Sequence, residues 1–435
     1  MLGRSSLDRP ESALPSALAS SKEAAVRPVE RILIDARRTW IRQGSDSLTI
    51  ESVRRELDRA REIAPESSDV HAYLAIFHAS RYAVGWQPEE KAAAVSSAGR
   101  IGEGDERYPT ALAALAWVAW TDGSSLDQAL DWAEESVRLE PLCGEDGLCD
   151  FHYYVLGSLQ IRMDDEEAGL QTLRDGILVG GGAVQCRLKL AVTLEDLEKP
   201  DEAEEVYREL RSGWRENSTV QHEFATFLFN RGRYREAGQE YKGVHDKTRD
   251  PKAALNFGHA HYMMESWDTA LDSYDVAMEG FAARKEANPT PFVSIGDVYM
   301  EKDQPAAAEK YYRRALEVFA EEGATGVQRL AQRAVCLAKL GDFEEAERAM
   351  TTPRSNQSRF QALPIFEARI AALEKDRVAL LEIARGWIDS GGEPIRLIDD
   401  AAFISFREDQ EYLRILWPDL YQELGTVGST ALPAS

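Results

Sequence analysis

The sequence has little cysteine, no long apolar run and a deficit of positive charge. Four cysteines stand among 435 residues, and the longest wholly apolar run, Ala111–Trp120, has ten residues. That run is too short to cross a bilayer and suits a buried helix, so we expect no membrane insertion. No basic segment followed by an apolar one opens the chain, and we expect a cytoplasmic protein.

Acidic residues outnumber basic ones, with 75 Asp and Glu against 51 Lys and Arg and a net charge of −24. A field of this sign repels nucleic acid and anionic lipid, so we expect no nucleic-acid partner. It favours a basic protein partner if the acids gather on one face. Acids spread over solvated helix faces would instead serve solubility alone, and both alternatives remain open.

The motifs that carry catalysis or cofactor binding are also missing. The sequence has no phosphate-binding loop, no nucleophile elbow and no zinc-protease motif. Cys143 and Cys149 lack the second close pair of a zinc site, and although they could close a disulfide, we expect reduced thiols. His259 and His261 would point about 200° apart on a helix, so they cannot hold one ion together. We therefore predict no enzyme activity, no cofactor and no metal site.

What the sequence does contain is a helical pattern that recurs between Pro251 and Gly341. Gly258, Gly296 and Ala334 are each followed 12 residues later by an alanine, at positions 270, 308 and 346. Small residues at this spacing are typical of two short helices that cross closely. Such a pair cannot bury its own apolar faces and must stack on its neighbours.

This pattern resembles the tetratricopeptide repeat family, in its bacterial form. The best match is Phe292-x2-Ile295-Gly296-x2-Tyr299 followed by Ala308-x3-Tyr312-x2-Ala315. Upstream, the same slots hold Gly157 with Ala168, Ala191 with Ala203 and Ala225 with Ala237. The resemblance implies an all-α fold, a right-handed α-solenoid of about nine to ten stacked antiparallel helix pairs.

The small residues of the six repeats follow one another at intervals of 34, 34, 33, 38 and 38 residues. We interpret the two longer intervals as an extra turn on the second helix, at 280–288 and 318–323. Five regions are predicted: a disordered leader (1–27), irregular repeat-like helices (28–149), the regular array (150–350), a degenerate pair with a C-terminal helical cap (351–424) and a disordered tail (425–435). In the cap, Asp399 or Asp400 should begin a first short helix and Asp409 a second, and the apolar residues of these helices should cover the open end of the stack.

The resemblance further implies that the first helices of the pairs line a concave, peptide-binding face. The register places these residues there: Gln185, Glu195, His222, Thr226, Lys252, Asn256, His259, Tyr262, Met263, Asp297, Met300 and Glu301. Asn256 matches an asparagine that many peptide-binding members use to hold the ligand backbone. The basic clamp of some co-chaperone members is not reproduced, because His222 and Thr226 stand where Lys and Asn would be needed.

These observations predict a non-enzymatic scaffold or adaptor that binds a peptide or protein segment in the groove, a basic one if the acids gather on that face. The alternative is a sensory or regulatory repeat module that controls a separately encoded effector enzyme or transcription factor. The sequence leaves the oligomeric state open.

Overall fold

The computed structural model describes residues 28–85, 87–142, 148–180, 183–323, 326–357, 360–392, 394–398 and 400–418. The two predicted disordered segments, 1–27 and 425–435, lie outside the described residues. The described residues form α-helices and short 3-10 segments without a β-strand, which confirms the all-α prediction.

The described helices follow one another as ten pairs and a last single helix, in agreement with the predicted number of pairs. Their bounds are α1 Pro28–Gln43, α2 Ser47–Ile63, α3 Ser68–Gly85, α4 Pro88–Ala98, α5 Tyr108–Asp122, α6 Leu126–Leu139, α7 Cys149–Arg162, α8 Glu166–Val179, α9 Val184–Asp196, α10 Pro200–Gly213, α11 Ser218–Asn230, α12 Tyr234–Thr248, α13 Pro251–Met263, α14 Trp267–Ala283, α15 Thr290–Glu301, α16 Pro305–Glu322, α17 Val327–Lys339, α18 Phe343–Ser355, α19 Leu363–Glu374, α20 Arg377–Asp389 and α21 Gln410–Leu416. Two 3-10 segments, Pro394–Leu397 and Ala401–Phe406, separate α20 from α21.

These helices belong to two compact units that divide the sequence between Phe224 and Ala225, inside α11. Within each unit the helices of a pair pack together and successive first helices contact one another, as α3 does with α5 in unit 1 and α13 with α15 in unit 2. The first helices thus form a layer in each unit, and we call its surface the first-helix face. The boundary between the units does not test the predicted limits of the regular repeat array, residues 150 and 350. Those limits stay a prediction.

The predicted helix crossings are present. A methyl group on Gly258 would clash with the ring of Tyr274, and one on Gly296 with the ring of Tyr312. The alanines that follow, Ala270 and Ala308, are fully buried at 0% exposure. The second helices of these two repeats, α14 and α16, have 17 and 18 residues against 14 in α10, which confirms the extra turn.

The turn inside each regular pair has a common backbone form. It contains a residue with positive φ, at Asp164, Glu198, Gly232, Glu265, Asp303 and Gly341. The N–H of the next residue closes the first helix, as Gln304 N does by donating to the carbonyl of Tyr299 at 2.8 Å. Turn residues with positive φ recur at the same intervals as the small residues. The repeat is therefore visible in the backbone conformation as well as in the sequence.

The expectation of reduced thiols is wrong for Cys149, which is disulfide-bonded. Cys143 lies outside the described residues. Cys186 and Cys336 are free and buried, and burial raises the pKa of both thiols.

In the segment predicted to form the C-terminal cap, two aspartates begin the short helices. The carboxylates of Asp400 and Asp409 accept backbone N–H bonds at the starts of the Ala401–Phe406 segment and of α21. Phe403 and Leu416 are buried with α19 and α20 in one apolar cluster. The cap therefore closes the last helix pair, and its polar residues reach further, onto the first-helix face.

Candidate peptide-binding site

A cavity of about 450 Å³ lies on the first-helix face of unit 2. Four of the predicted groove residues line it: His259, Tyr262, Met263 and Asp297. Aromatic side chains form part of the wall, among them Phe229, Phe319 and Phe366. Polar side chains make up the rest of the wall together with a few aliphatic ones, and five of the lining residues are charged: Asp297, Lys339, Arg369, Arg396 and Asp400.

Charged side chains of both signs surround the ammonium group of Lys339 in this cavity. Its Nζ lies 2.5 Å from Oδ1 of Asp297 and 3.1 Å from Oδ1 of Asp400. Asp400 also lies 3.2 Å from Nε of Arg369, and Asp297 accepts the hydroxyl of Tyr312 at 2.7 Å. Two carboxylates therefore share one buried ammonium, and the second of them has an arginine as well.

This arrangement separates the pKa values of the two carboxyls. Burial, reinforced by the neighbouring charge of Asp400, raises the pKa of Asp297 to about 6 although Lys339 opposes the shift. Burial acts in the same direction on Asp400, but Lys339 and Arg369 outweigh it and hold the pKa of Asp400 well below its usual range. A proton added to the cluster therefore goes to Asp297 first.

A second polar group stands beside the cavity. Glu301 accepts the hydroxyl of Tyr262 at 2.8 Å and both terminal nitrogens of Arg407, at 2.9 and 2.7 Å. Burial and the nearby carboxylates raise the pKa of Tyr262, so its hydroxyl stays protonated and donates. Glu301 is thus occupied by groups of the chain itself.

Asn256 differs from these residues because its amide is free. It is half-buried and makes no side-chain hydrogen bond among the described residues. It lies one turn before His259 and two turns before Met263 on the same side of α13, so the three form a stripe that leads into the cavity. Lys252, one turn earlier, is exposed.

The remaining predicted groove residues do not join this cavity. Thr226 bonds the hydroxyl of Tyr241 at 3.0 Å, and Met300 is half-buried on α15. Gln185, Glu195 and His222 belong to unit 1. Gln185 there lines a small cavity with Arg37, Trp40 and Asn217.

Unit 1 has a larger cavity, of about 670 Å³, between α1, α3 and the start of α5. One basic side chain, Arg107, lines it against six acidic ones: Glu30, Asp69, Glu103, Asp105, Glu106 and Glu140. This cavity therefore has an excess of acidic side chains, whereas the cavity of unit 2 has no such excess.

Among the described residues, no group of three or more histidine, cysteine or acidic side chains is placed to hold a metal ion. His259 lies 3.1 Å from Oγ of Ser294, and burial lowers its pKa to about 4, so its imidazole is neutral. In the same part of the chain, no helix combines the length and the apolar content needed to cross a bilayer.

Sequence reasoning missed Lys339, Arg369 and Arg407. Lys339 ends α17, where a basic residue has an ordinary explanation in the helix dipole. Arg407 meets Glu301 across 106 positions of sequence, and no local pattern announces that contact. The available signal was Arg407 itself, a basic residue that directly follows the largely apolar residues 401–406 and could have been expected to need an acidic partner.

Comparison with known proteins identifies the repeat directly. Residues 291–321 match the model of the tetratricopeptide repeat, and these residues form the helix pair α15–α16. A comparison with curated proteins found no match.

Solved structures of similar fold include one described as the APC/C hetero-tetramer Cut9-Hcn1, with 13% identity, a TM-score of 0.49 and coverage of 69% of this chain and 56% of that one. Yeast Tom70 aligns with 14% identity and a TM-score of 0.48 over 86% of this chain and 88% of that one. PilF of Pseudomonas aeruginosa aligns with 18% identity and a TM-score of 0.38 over 54% and 96%. This chain thus spans just over half of the first of these chains, and the likenesses do not bear on function.

Proposed function

Because this chain is a tetratricopeptide-repeat protein, we propose that it is a non-enzymatic scaffold that holds a peptide segment on the first-helix face of unit 2. Stacked helix pairs present extended surfaces to partners, and here the extended surface contains a cavity. The observation that carries the proposal is the free amide of Asn256 on the stripe that leads into that cavity.

An amide suits this role because it donates and accepts at once, as a peptide backbone requires. Asn256, His259 and Met263 present an amide, a neutral imidazole and a flexible apolar side chain along one side of α13. An extended segment that lies along this stripe would exchange backbone hydrogen bonds with Asn256 and place a side chain in the cavity.

The cavity does not favour a purely basic ligand. Its lining includes three cationic side chains, Lys339, Arg369 and Arg396, against the two carboxylates Asp297 and Asp400. The proposed ligand therefore carries both signs of charge. The net charge of the whole chain favoured a basic partner if the acidic residues gather on one face, but net charge does not show where they lie. The cavity lining replaces that expectation with a ligand of mixed charge.

The test begins with a pull-down from the native host, followed by affinity measurements on the recovered partner. Asn256→Ala combined with Met263→Ala should abolish binding and leave the melting temperature unchanged, because neither side chain closes the stack. Lys310→Ala, an exposed change on α16, is the matched control and should bind normally. Full binding by the double variant would refute the groove.

Asp297 is unsuited to this test. It is 9% exposed and paired with Lys339, so its removal would leave a buried ammonium with one partner fewer and would disturb folding. Asp297, although predicted to line the groove, is therefore needed for folding as well. If the recovered partner is an effector enzyme or a transcription factor, the scaffold acts as a regulatory module.

A further inference from the structure

The C-terminal segment 400–407 lies across the surface that the proposed ligand would use. Asp400 pairs with Lys339 at the end of α17 and with Arg369 on α19, at 3.1 and 3.2 Å. Arg407 pairs with Glu301 at the end of α15. We call these three ion pairs the latch, and they join the segment to three successive first helices.

An apolar anchor holds the same segment independently of the latch. Phe403 and Phe406 are 0% and 6% exposed and pack on Tyr412, within the cluster formed by α19, α20 and α21. This cluster packs the segment on the last helix pair, and Asp400 also caps the segment by accepting the N–H of Ala402. The ion pairs of the latch add contacts with α15 and α17, which lie outside the apolar cluster, and with α19, which belongs to it.

The ion pairs of the latch add little net stability, because burying their charges costs desolvation free energy. Side-chain exposure is 3% for Lys339, 15% for Asp400 and 10% for Glu301, so these charges have lost most of their water. Desolvation offsets much of the Coulomb attraction in such pairs, and apolar residues of similar size often stabilise as well or better. Each ion pair instead selects one specific partner group, and a ligand group of the same charge can replace one member of the pair.

The latch borders the candidate site. Asp400, Lys339 and Arg369 are among the residues that line the 450 Å³ cavity, together with Tyr262, which holds Glu301. A ligand that enters the cavity therefore meets charged groups of the latch, together with Asp297 and Arg396.

We propose that segment 400–407 is an internal competitor of the ligand, and that the ligand is a peptide carrying a carboxylate and, seven positions later, an arginine. Asp400 and Arg407 have this spacing. The ligand carboxylate takes the place of Asp400 beside Lys339 and Arg369, and its guanidinium takes the place of Arg407 on Glu301. Only the side chains of Asp400 and Arg407 leave their partners, while Phe403 and Phe406 stay in the apolar cluster. This inference rests on the proposed function and adds the chemistry of the partner.

The experiment uses the full chain and a fluorescent peptide with the sequence of residues 397–409. We expect Arg407→Ala to bind this probe at least tenfold more tightly than the unaltered protein, because the internal competitor is weakened. Arg385→Ala is the matched control, since Arg385 pairs with Glu411 on the exposed side of the cap. It should bind the probe as the unaltered protein does. A probe with alanine at the positions of Asp400 and Arg407 should not bind.

Equal affinity for the probe in the unaltered protein, Arg407→Ala and Arg385→Ala would overturn the inference if Arg407→Ala keeps its helical content. If Arg407→Ala unfolds, the double variant Glu301→Arg with Arg407→Glu decides, because it restores the pair with reversed charges. It should reject the original probe and bind a probe with glutamate at the position of Arg407 as the unaltered protein binds the original one. Failure to bind would also overturn the inference.

The outcomes separate this inference from the proposed function. If Asn256→Ala with Met263→Ala abolishes binding of the native partner while Arg407→Ala binds that partner normally, the proposed scaffold function is supported and the internal competitor is refuted. If Arg407→Ala binds the probe tightly but the native partner binds the groove variants normally, the competitor stands and the groove scaffold falls.

Discussion

The guanidinium of Arg37 donates to the carboxylate of Asp150 at 2.6 Å, across 113 positions of sequence and with both side chains at most 5% exposed. Asp150 is the second residue of α7, and Arg37 also lies 4.5 Å from the ring of Phe151. This pair joins the first helix of the described chain to the fourth helix pair within unit 1.

Removing one partner of this pair should be costly. Asp150→Ala leaves a buried guanidinium without its carboxylate, and we expect a loss of about 3–5 kcal/mol in the free energy of unfolding. The double variant Arg37→Met with Asp150→Leu buries no charge and should recover most of that loss. Urea unfolding followed by circular dichroism measures both, and a single variant as stable as the original protein would contradict the prediction.

The crossing of α15 and α16 offers a second test. Gly296→Ala forces a methyl group against the ring of Tyr312, and we expect overpacking to cost about 1–3 kcal/mol, with Gly296→Leu worse. Gly386→Ala is the matched control, because a methyl group there meets no atom within 4 Å. Within a helix that change should stabilise by about 0.5–1 kcal/mol. If Gly296→Ala and Gly386→Ala shift the melting temperature in the same direction, Gly296 does not lie at a close helix crossing.

These crossings are the part of the fold that the sequence predicted well. Gly296 and Tyr312 recur with the repeat, and a close contact between small and large residues follows from spacing alone. The extra turn on α14 and α16 followed from the longer intervals in the same way. Local periodicity determines features like these, so they can be read without a structure.

The latch and the Arg37–Asp150 pair could not be read in this way. The Arg37–Asp150 and Glu301–Arg407 pairs join charges more than 100 positions apart, and Asp400 lies 61 positions after Lys339 and 31 after Arg369. Such contacts depend on the packing of distant helices rather than on any local pattern. The predicted groove residues were therefore placed on the correct helices, but their partners were not. Asp297 and Glu301 prove to be occupied by Lys339 and Arg407, whereas Asn256 is free.

The left-handed turns allow a stabilising prediction. Asp303 has a φ of 54°, a conformation that costs a residue with a side chain about 1–2 kcal/mol, and glycine occupies the equivalent turn position at Gly341. Asp303→Gly should therefore raise the free energy of unfolding by up to about 1 kcal/mol, because unfolded-chain entropy offsets part of the gain. Lys302→Gly is the control, since Lys302 has a φ of −81° and should gain nothing. Equal effects at both positions would show that strain at Asp303 is not the cause.

The last prediction concerns acid sensitivity and His152. This histidine is fully buried, and its Nε2 lies 3.2 Å from Oγ1 of Thr110. Burial, with the nearby positive charge of Arg107, lowers the pKa of His152 to about 3 in the folded protein. In the unfolded chain the pKa returns to about 6.5, so between these values the unfolded state binds a proton that the folded state does not.

Stability must therefore fall as the pH is lowered from about 6.5 towards 3, by at most about 1.4 kcal/mol for each pH unit from this group. His152→Gln keeps a polar partner for Thr110 but cannot take up a proton, so the gap in stability between variant and original protein should move in favour of the variant on acidification. Thermal melts at pH 7, 6, 5 and 4 measure that gap. A gap that stays constant would mean that folded His152 does accept a proton, and the carboxylate of Glu140, 3.9 Å from Nδ1, is the group that would stabilise it.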